Sequence, residues 1–361
     1  MKNCLMIIGE GIKLSEIFIE YLLREVKRNI EVSEIIFFNE HEKDIFMDIS
    51  HFKEYDNIVI AIHKNSFASV SKIISTAIND SLIAKDGLLM PSSAISYTDG
   101  SYLIEVAETI INCIEIEESK KIPKIFITEP KEYKVINIFD IDDESIKVLF
   151  NPIASMNGVS IEVSKVVSNW NKLIIKSNKF GEIDNFISQI STLFSQKIVT
   201  EGDIVKYIIA KFTLHDKSIS FAESCTGGLG AYMFTKEAGS SNIFNGSVIA
   251  YSNRIKQVWL KVDEATLIKN GAVSEQVVDE MLDGILALTN SNYAIAFSGV
   301  AGPTGGTVSK PIGTVYVGVK SNKGEKIVER LHLEGDRNYI QSQAANHGIY
   351  LLVNIAKEIL L

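Results

Sequence analysis

The residues best suited to chemistry lie in one short stretch, Ser218-Ile219-Ser220-Phe221-Ala222-Glu223-Ser224-Cys225-Thr226-Gly227-Gly228. Ser218 to Ala222 reads as a short strand with Ile219 and Phe221 on one face, because side chains alternate along a strand. Glu223 to Gly228 is a turn of mostly small residues, and Leu229 to Lys236 resumes an apolar pattern at helical spacing. Strand, small-residue turn and helix start can expose a nucleophile at a sheet edge and aim backbone N–H groups at an anion. Ser224 is the candidate nucleophile, with Thr226, Gly227 and Gly228 as candidate donors to an oxyanion or a phosphate. The stretch alone leaves open a plainer alternative, a tight turn whose glycines serve packing.

A serine needs a base. The six histidines are His41, His51, His63, His215, His332 and His347, and none stands in a recognisable hydrolase motif. A neutral lysine can serve instead. Lys256, in Tyr251-Ser252-Asn253-Arg254-Ile255-Lys256, follows a strand end as Ser224 does, so adjacent strands would bring both to one rim. Its pKa would have to fall from about 10.4 toward 7–8, worth about 4 kcal/mol. Partial burial and a neighbouring cation such as Arg254 act in that direction. A solvated helix face is the other reading of Lys256. Cys225 is a rival nucleophile, although a buried cysteine is more commonly a small hydrophobe. Gly299 to Gly306 would allow a ligand close to the backbone, or would be only a flexible turn. Arg337 could bind a phosphate, or would be a surface arginine.

The elements that must position these residues begin near Glu201. Ile204 to Phe212 reads as a helix ahead of the Ser218 strand. Gly246 to Tyr251 is a strand, Ser252 and Asn253 cap the helix carrying Lys256, and Ser274 caps a long helix with Val277, Val278, Met281, Leu282, Ile285 and Leu286 on one face. Tyr293 to Phe297 is a strand running into Ser298 and the glycine loop. Thr314 to Val319 and Lys326 to Leu333 form a strand pair, and a helix of about Arg337 to Ile359 follows.

Ahead of this, residues 1 to about 125 alternate strand and helix. The strands are Cys4 to Ile8, Ile35 to Phe38 and Asn57 to Ile62, and the helices Ile17 to Val26 and Ser69 to Ile78, which predicts a mostly parallel sheet. A ligand would sit at the C-terminal ends of its strands. There, the turn His63-Lys64-Asn65-Ser66-Phe67 has no glycine and no carboxylate, a poor phosphate cradle and a poor metal site. The charged stretch Lys120 to Lys134, with Pro123 and Pro130, marks a boundary. A small α+β segment follows, with strands Val135 to Phe139 and Leu173 to Lys176 and a helix Ile183 to Phe194. Asp140, Asp142, Asp143 and Glu144 read as a solvated acidic turn rather than a cation site. The expected class is α/β, in three parts: 1–125, 126–200 and 201–361.

The chain has 361 residues, 46% hydrophobic and 22% charged, the balance of a globular protein. Its net charge is −9. Residues 1–200 carry 21 Lys and Arg against 29 Asp and Glu, and residues 201–361 carry 15 against 16, so the acidity lies in the first part. Without a basic block, bulk electrostatics argues against a nucleic-acid partner. Cys4, Cys113 and Cys225 are too far apart in sequence for a disulfide framework or a zinc site, which fits a reducing cytoplasm. Leu5 to Ile8 is too short for a signal segment, and no apolar run approaches the ~20 residues that span a bilayer. A soluble cytoplasmic protein without a membrane partner is expected.

Several separated motifs agree in order: Ala222-Glu223-Ser224-Cys225-Thr226-Gly227-Gly228; Ala250-Tyr251-Ser252-Asn253 with Lys256; Gly271-Ala272-Val273-Ser274; Gly299-Val300-Ala301-Gly302-Pro303; Pro311-Ile312-Gly313-Thr314-Val315-Tyr316; and Gly335-Asp336-Arg337. In these, residues 201–361 resemble the C-terminal domain of the CinA family, a nicotinamide mononucleotide deamidase. The resemblance implies hydrolysis of nicotinamide mononucleotide to nicotinate mononucleotide and ammonia, with no cofactor. It implies Ser224 as nucleophile, Lys256 as its general base and Tyr251 as an assisting residue. Ser298 stands where the family more often has threonine, and its hydroxyl is preserved. Gly302, Gly305, Gly306 and Arg337 would hold the nucleotide.

The front of the chain resembles the same family more weakly, over Met6 to Leu23 and Gly87 to Gly100. There the family has a molybdopterin-binding-like domain associated with metal-dependent ADP-ribose pyrophosphatase activity. The family's Gly-Gly-Leu-Gly-Pro-Thr-x-Asp-Asp stretch is replaced by His63-Lys64-Asn65-Ser66-Phe67-Ala68-Ser69-Val70-Ser71. Loss of the metal site and of that activity is expected, leaving a structural role in a homodimer. A catalytically silent nucleotide-binding or scaffold protein, and an amidase using Cys225, are the competing expectations.

Overall fold

A computed structural model describes residues 2–9, 11–38, 49–128, 133–177 and 181–361. His41 and Pro130, named above, lie outside the described residues. The chain divides into two compact units, Met1–Lys131 and Glu132–Leu361. The architecture is mixed α/β with parallel strands in both units.

In the first unit the strands Asn3–Ile8, Glu34–Phe38, Asn57–His63 and Thr109–Ile116 pair in parallel, in the order second, first, third, fourth. Asn3–Ile8 is buried at every position, as expected of a central strand covered on both faces. Two antiparallel strands, Ser101–Val106 and Ser96–Thr98, extend the sheet beyond Thr109–Ile116, and Leu82–Lys85 and Leu88–Pro91 form a separate hairpin. The sequence pattern misses these added strands. One turn is Ala107-Glu108, where both residues take positive φ without a glycine to mark it.

His63-Lys64-Asn65-Ser66-Phe67 is not a turn. His63 ends a strand and accepts a hydrogen bond from the Asn65 amide, capping a helix that begins at once, Lys64–Ala77. The strand ends here carry ion pairs, with Lys64 and Lys120 both on Glu117. No cluster of metal-ligating side chains is present among the described residues.

In the second unit an antiparallel sheet of Val159–Val167, Trp170–Ser177, Tyr133–Phe139 and Ile198–Val199 is followed by a five-stranded sheet. The five strands run in the order Phe244–Ile249, Ile219–Glu223, Tyr293–Gly299, Thr314–Ser321, Lys326–His332. The first three are mutually parallel and the last two antiparallel. Phe139, Val167, Trp170 and Val199 of the small sheet share one buried cluster with Phe212, Phe221, Phe297 and Tyr350. The small segment therefore shares a core with the larger sheet.

The acidic turn also changes meaning. Asp142 accepts from the Ser145 amide and caps a helix, Asp143–Met156, whose first turn holds Asp143 and Glu144. Carboxylates there complement the positive end of the helix dipole. Asp140 accepts from the Tyr350 hydroxyl at 2.8 Å.

The strand Ile219–Glu223, central among the three parallel ones, is fully buried. One face of the five-stranded sheet is covered by the helix Glu275–Thr289, through Val277, Val278, Met281, Leu282 and Ile285. The other carries the helices Ile204–Leu214 and Arg337–Ile355, through residues such as Phe212, Ile349 and Leu352. Both faces being apolar, polar side chains gather at the strand ends. No helix among the described residues is long and apolar enough to cross a membrane.

Candidate active site

Ser224 follows the strand Ile219–Glu223 directly. Its amide donates to the Phe297 carbonyl of the neighbouring strand, and its own carbonyl accepts from the Gly227 amide. The next strand over, Phe244–Ile249, pairs in parallel, and the Ala250 amide donates to the Glu223 carbonyl at 2.7 Å. From that strand end, Ser252 accepts from the Ile255 amide and starts the helix Asn253–Leu260. Lys256 lies on its buried side, 1% exposed, and its side chain runs back toward the strand ends. Its Nζ donates to the Ala250 carbonyl at 2.6 Å and stands 2.9 Å from Ser224 Oγ.

Burial lowers the Lys256 pKa to about 8 from its ordinary 10.5. Arg254 is exposed and is not among the causes, so the expectation of a neighbouring cation is corrected: desolvation does the work. The Cys225 sulfur would oppose the shift only as a thiolate, and burial pushes that thiol up to about 12. Near neutral pH Cys225 is an inert, buried thiol. The amine can lose its proton, and it then presents a lone pair to the Ser224 hydroxyl while an N–H remains on Ala250.

The expected anion cradle is different in detail. The Gly228 amide donates to Glu223 Oε2 at 3.0 Å, the Gly227 amide to the Ser224 carbonyl, and the Thr226 hydroxyl to Glu223 Oε2 at 2.7 Å. Gly227 and Gly228 thus spend their N–H groups inside the turn, and their assignment as free donors is corrected. The amides of Cys225 and Thr226 have no acceptor on another residue among the described residues. They are what the turn has left to offer an oxyanion. The glycines still have a conformational reason, with φ of 63° and 104° at Gly227 and Gly228.

Ser298 sits one residue beyond Phe297, at the height of Ser224 on the adjacent strand. It is buried and donates to the Ala272 carbonyl at 2.8 Å, tying the strand end to the Gly271-Ala272 turn. Its proton is therefore not free for a ligand. Tyr251 is exposed, and its hydroxyl accepts from Arg337 Nη2 at 2.9 Å; it makes no bond to Ser224 or Lys256 among the described residues. Arg337 Nη1 donates to the Gly302 carbonyl at 2.7 Å. Arg337 thus joins the strand-end tyrosine, the glycine loop and the start of the helix Arg337–Ile355, with further N–H groups unspent.

In the glycine loop, Gly302 is buried, whereas Gly305 and Gly306 are exposed. A side chain at Gly302 would come within 2.8 Å of Ile312, and one at Gly306 within 3.0 Å of the Ile312 amide. Two further residues shape the rim and escape sequence reasoning. Gln341 donates to the Cys225 carbonyl at 2.6 Å, and Glu223 receives the donors of the turn. Glu223 had a legible signal: a carboxylate closing an apolar strand just ahead of a helix start.

Fold and site together define a class: an α/β domain that sets a serine, at the C-terminal end of a central parallel strand, against a buried lysine of lowered pKa. The CinA C-terminal domain model matches residues 202–356. A CinA-like protein of Thermosipho melanesiensis is 36% identical over 181 residues, covering 50% of this chain and 45% of that protein. A CinA-like protein of Thermotoga maritima is 44% identical over 129 residues, 36% of this chain and 31% of its own length. The crystal structure of a competence/damage inducible protein from Agrobacterium tumefaciens is 35% identical; it covers 43% of this chain and 96% of that one, with a TM-score of 0.41. The likeness to the CinA family lies in the C-terminal part of this chain, residues 202–356. It spans about half the length of the curated relatives it matches.

Proposed function

We propose that the second unit is a serine amidohydrolase, with nicotinamide mononucleotide as its substrate. The observation that carries the reading is the pairing of Ser224 Oγ with Lys256 Nζ, 2.9 Å apart, on a lysine buried enough to lose its proton near pH 8. Neutral Lys256 takes the Ser224 proton as Oγ attacks the carboxamide carbon. The carbonyl oxygen becomes an oxyanion facing the Cys225 and Thr226 amides. Lys256 returns the proton to the leaving nitrogen, ammonia departs, and an acyl-serine ester remains. Water, deprotonated by the same amine, hydrolyses that ester to the carboxylate. The remaining donors of Arg337 suit a nucleotide phosphate, with the glycine loop against the ribose side. The pyridine ring has exposed Tyr251 at the rim as a surface to lie on.

The test is ammonia release from nicotinamide mononucleotide by the purified chain and by its Ser224→Ala, Lys256→Ala and Cys225→Ala variants. Release abolished by the first two changes and kept by the third is expected. No release from the unmutated chain would favour the silent scaffold, and loss confined to the Cys225 variant would favour a cysteine amidase. For the first unit we propose lost pyrophosphatase activity and a role in a homodimer. Metal-dependent hydrolysis of ADP-ribose by the Ser224→Ala chain would contradict the first part, and a monomer by light scattering the second.

A further inference from the structure

We infer that Glu223 is the positioning residue of this site, a buried carboxylate that locks the Ser224 turn by occupying the anion-binding amides itself. The inference rests on Ser224 being the nucleophile. Glu223 is wholly buried, on the strand face it shares with Phe221. Oε2 accepts from the Thr226 hydroxyl at 2.7 Å and from the Gly228 and Gly230 amides at 3.0 and 3.1 Å. Oε1 accepts from the Ala231 amide at 2.8 Å and, longer, from the Ser247 hydroxyl at 3.4 Å. The close approach needs a glycine at 230. A β-carbon there would stand 3.0 Å from Phe297, 3.1 Å from Phe221 and 3.3 Å from Glu223 Oε1.

Two consequences follow for the reaction. First, the turn is fixed at both ends. Ser224 is held by Phe297 on the strand side, and Gly228, Gly230 and Ala231 are held by Glu223 on the helix side. Ser224 Oγ is then placed against Lys256 before any substrate arrives, which is where an ångström matters most. Second, the start of the helix Leu229–Thr235 already holds a negative charge, so it does not compete with Arg337 for an anionic substrate group. A fixed carboxylate near a forming oxyanion disfavours it electrostatically. The contribution of Glu223 is therefore geometric rather than a matter of charge.

Glu223→Gln keeps the shape but replaces one acceptor oxygen with an NH2 that faces N–H donors, so the turn must move. The experiment follows covalent modification of Ser224 in the full chain by a small alkyl fluorophosphonate, read by intact mass against pH. Modification of Glu223→Gln is expected to slow by about 10- to 100-fold, with a cooperative melt and an unchanged pH midpoint, because Lys256 still sets that midpoint. A folded Glu223→Gln protein that reacts at the unmutated rate overturns the inference. If Glu223→Gln does not fold, Thr226→Val removes one donor and leaves three amides on the carboxylate. It is expected to slow modification several-fold, and an unmutated rate there overturns the inference equally. Failure of the unmutated chain to react at Ser224 removes the nucleophile reading, a different result from equal rates.

Discussion

Lys256 gives the sharpest test, because one buried amine sets both reactivity and stability. With a pKa of about 8 in the folded chain, about one tenth of the amine is neutral at pH 7, half at pH 8 and nine tenths at pH 9. Only the neutral form accepts the Ser224 proton. The rate should therefore climb about tenfold from pH 7 to pH 9, with a slope approaching one well below the midpoint. Stability moves with it. The unfolded lysine holds its proton up to about 10.5, so between about pH 8 and 10.5 the unfolded chain binds more protons and stability rises with pH. Seating Lys256 in its buried site, as an ammonium or by giving up its proton, costs about 3 kcal/mol at pH 7 and about 1.5 kcal/mol at pH 9.5.

Lys256→Met removes that cost but leaves the Ala250 carbonyl without its donor, a loss of about 1 kcal/mol. The inactive variant should be about 2 kcal/mol more stable than the unmutated chain at pH 7 and nearly equal to it at pH 9.5. Urea melts at the two pH values measure this, and fluorophosphonate modification of Ser224 measures the rate. A rate that is flat from pH 7 to 9, or has its midpoint near that of an ordinary histidine, would refute Lys256 as base. A Lys256→Met protein less stable than the unmutated chain at pH 7 would refute that cost of burial.

Cys225→Ala should keep activity within about threefold, since its thiol stays protonated to about pH 12; a loss as deep as that of Ser224→Ala would refute an inert thiol. Arg337→Ala frees Tyr251 and Gly302, and should raise KM for the nucleotide by about 10- to 100-fold while fluorophosphonate modification of Ser224 changes little. Equal losses in both assays would mean that Arg337 instead supports the dyad. Gly284→Ala tests the seat of Lys256. A β-carbon there would fall 2.0 Å from the Leu260 carbonyl oxygen, at the end of the helix that carries Lys256. It should cost about 1–3 kcal/mol in a urea melt and lower activity as well, and a neutral result would show that the two helices part freely.

The sequence by itself determined the apolar strands and helices of the second unit, since their periodicity is local. It also marked the serine turn, the capping residues Ser252 and Ser274, and the order of motifs that the family shares. One antiparallel addition to the first sheet was not legible, because its two-residue turn, Ala107-Glu108, joins neighbouring strands at positive φ without the residues that usually mark such a turn. Nor was the role of each donor at the turn. Thr226 to Gly228 have the residue types of an anion cradle, but where their N–H groups go depends on Glu223, whose side chain the strand aims into the same turn. Arg254 was the visible cation beside Lys256, yet the lowered pKa comes from burial, a property of everything packed around the amine. Sequence fixes which groups a chain carries, and local pattern fixes which face each one takes. Which donor meets which acceptor, and how much water is left between them, is decided only when strands far apart in the chain lie side by side.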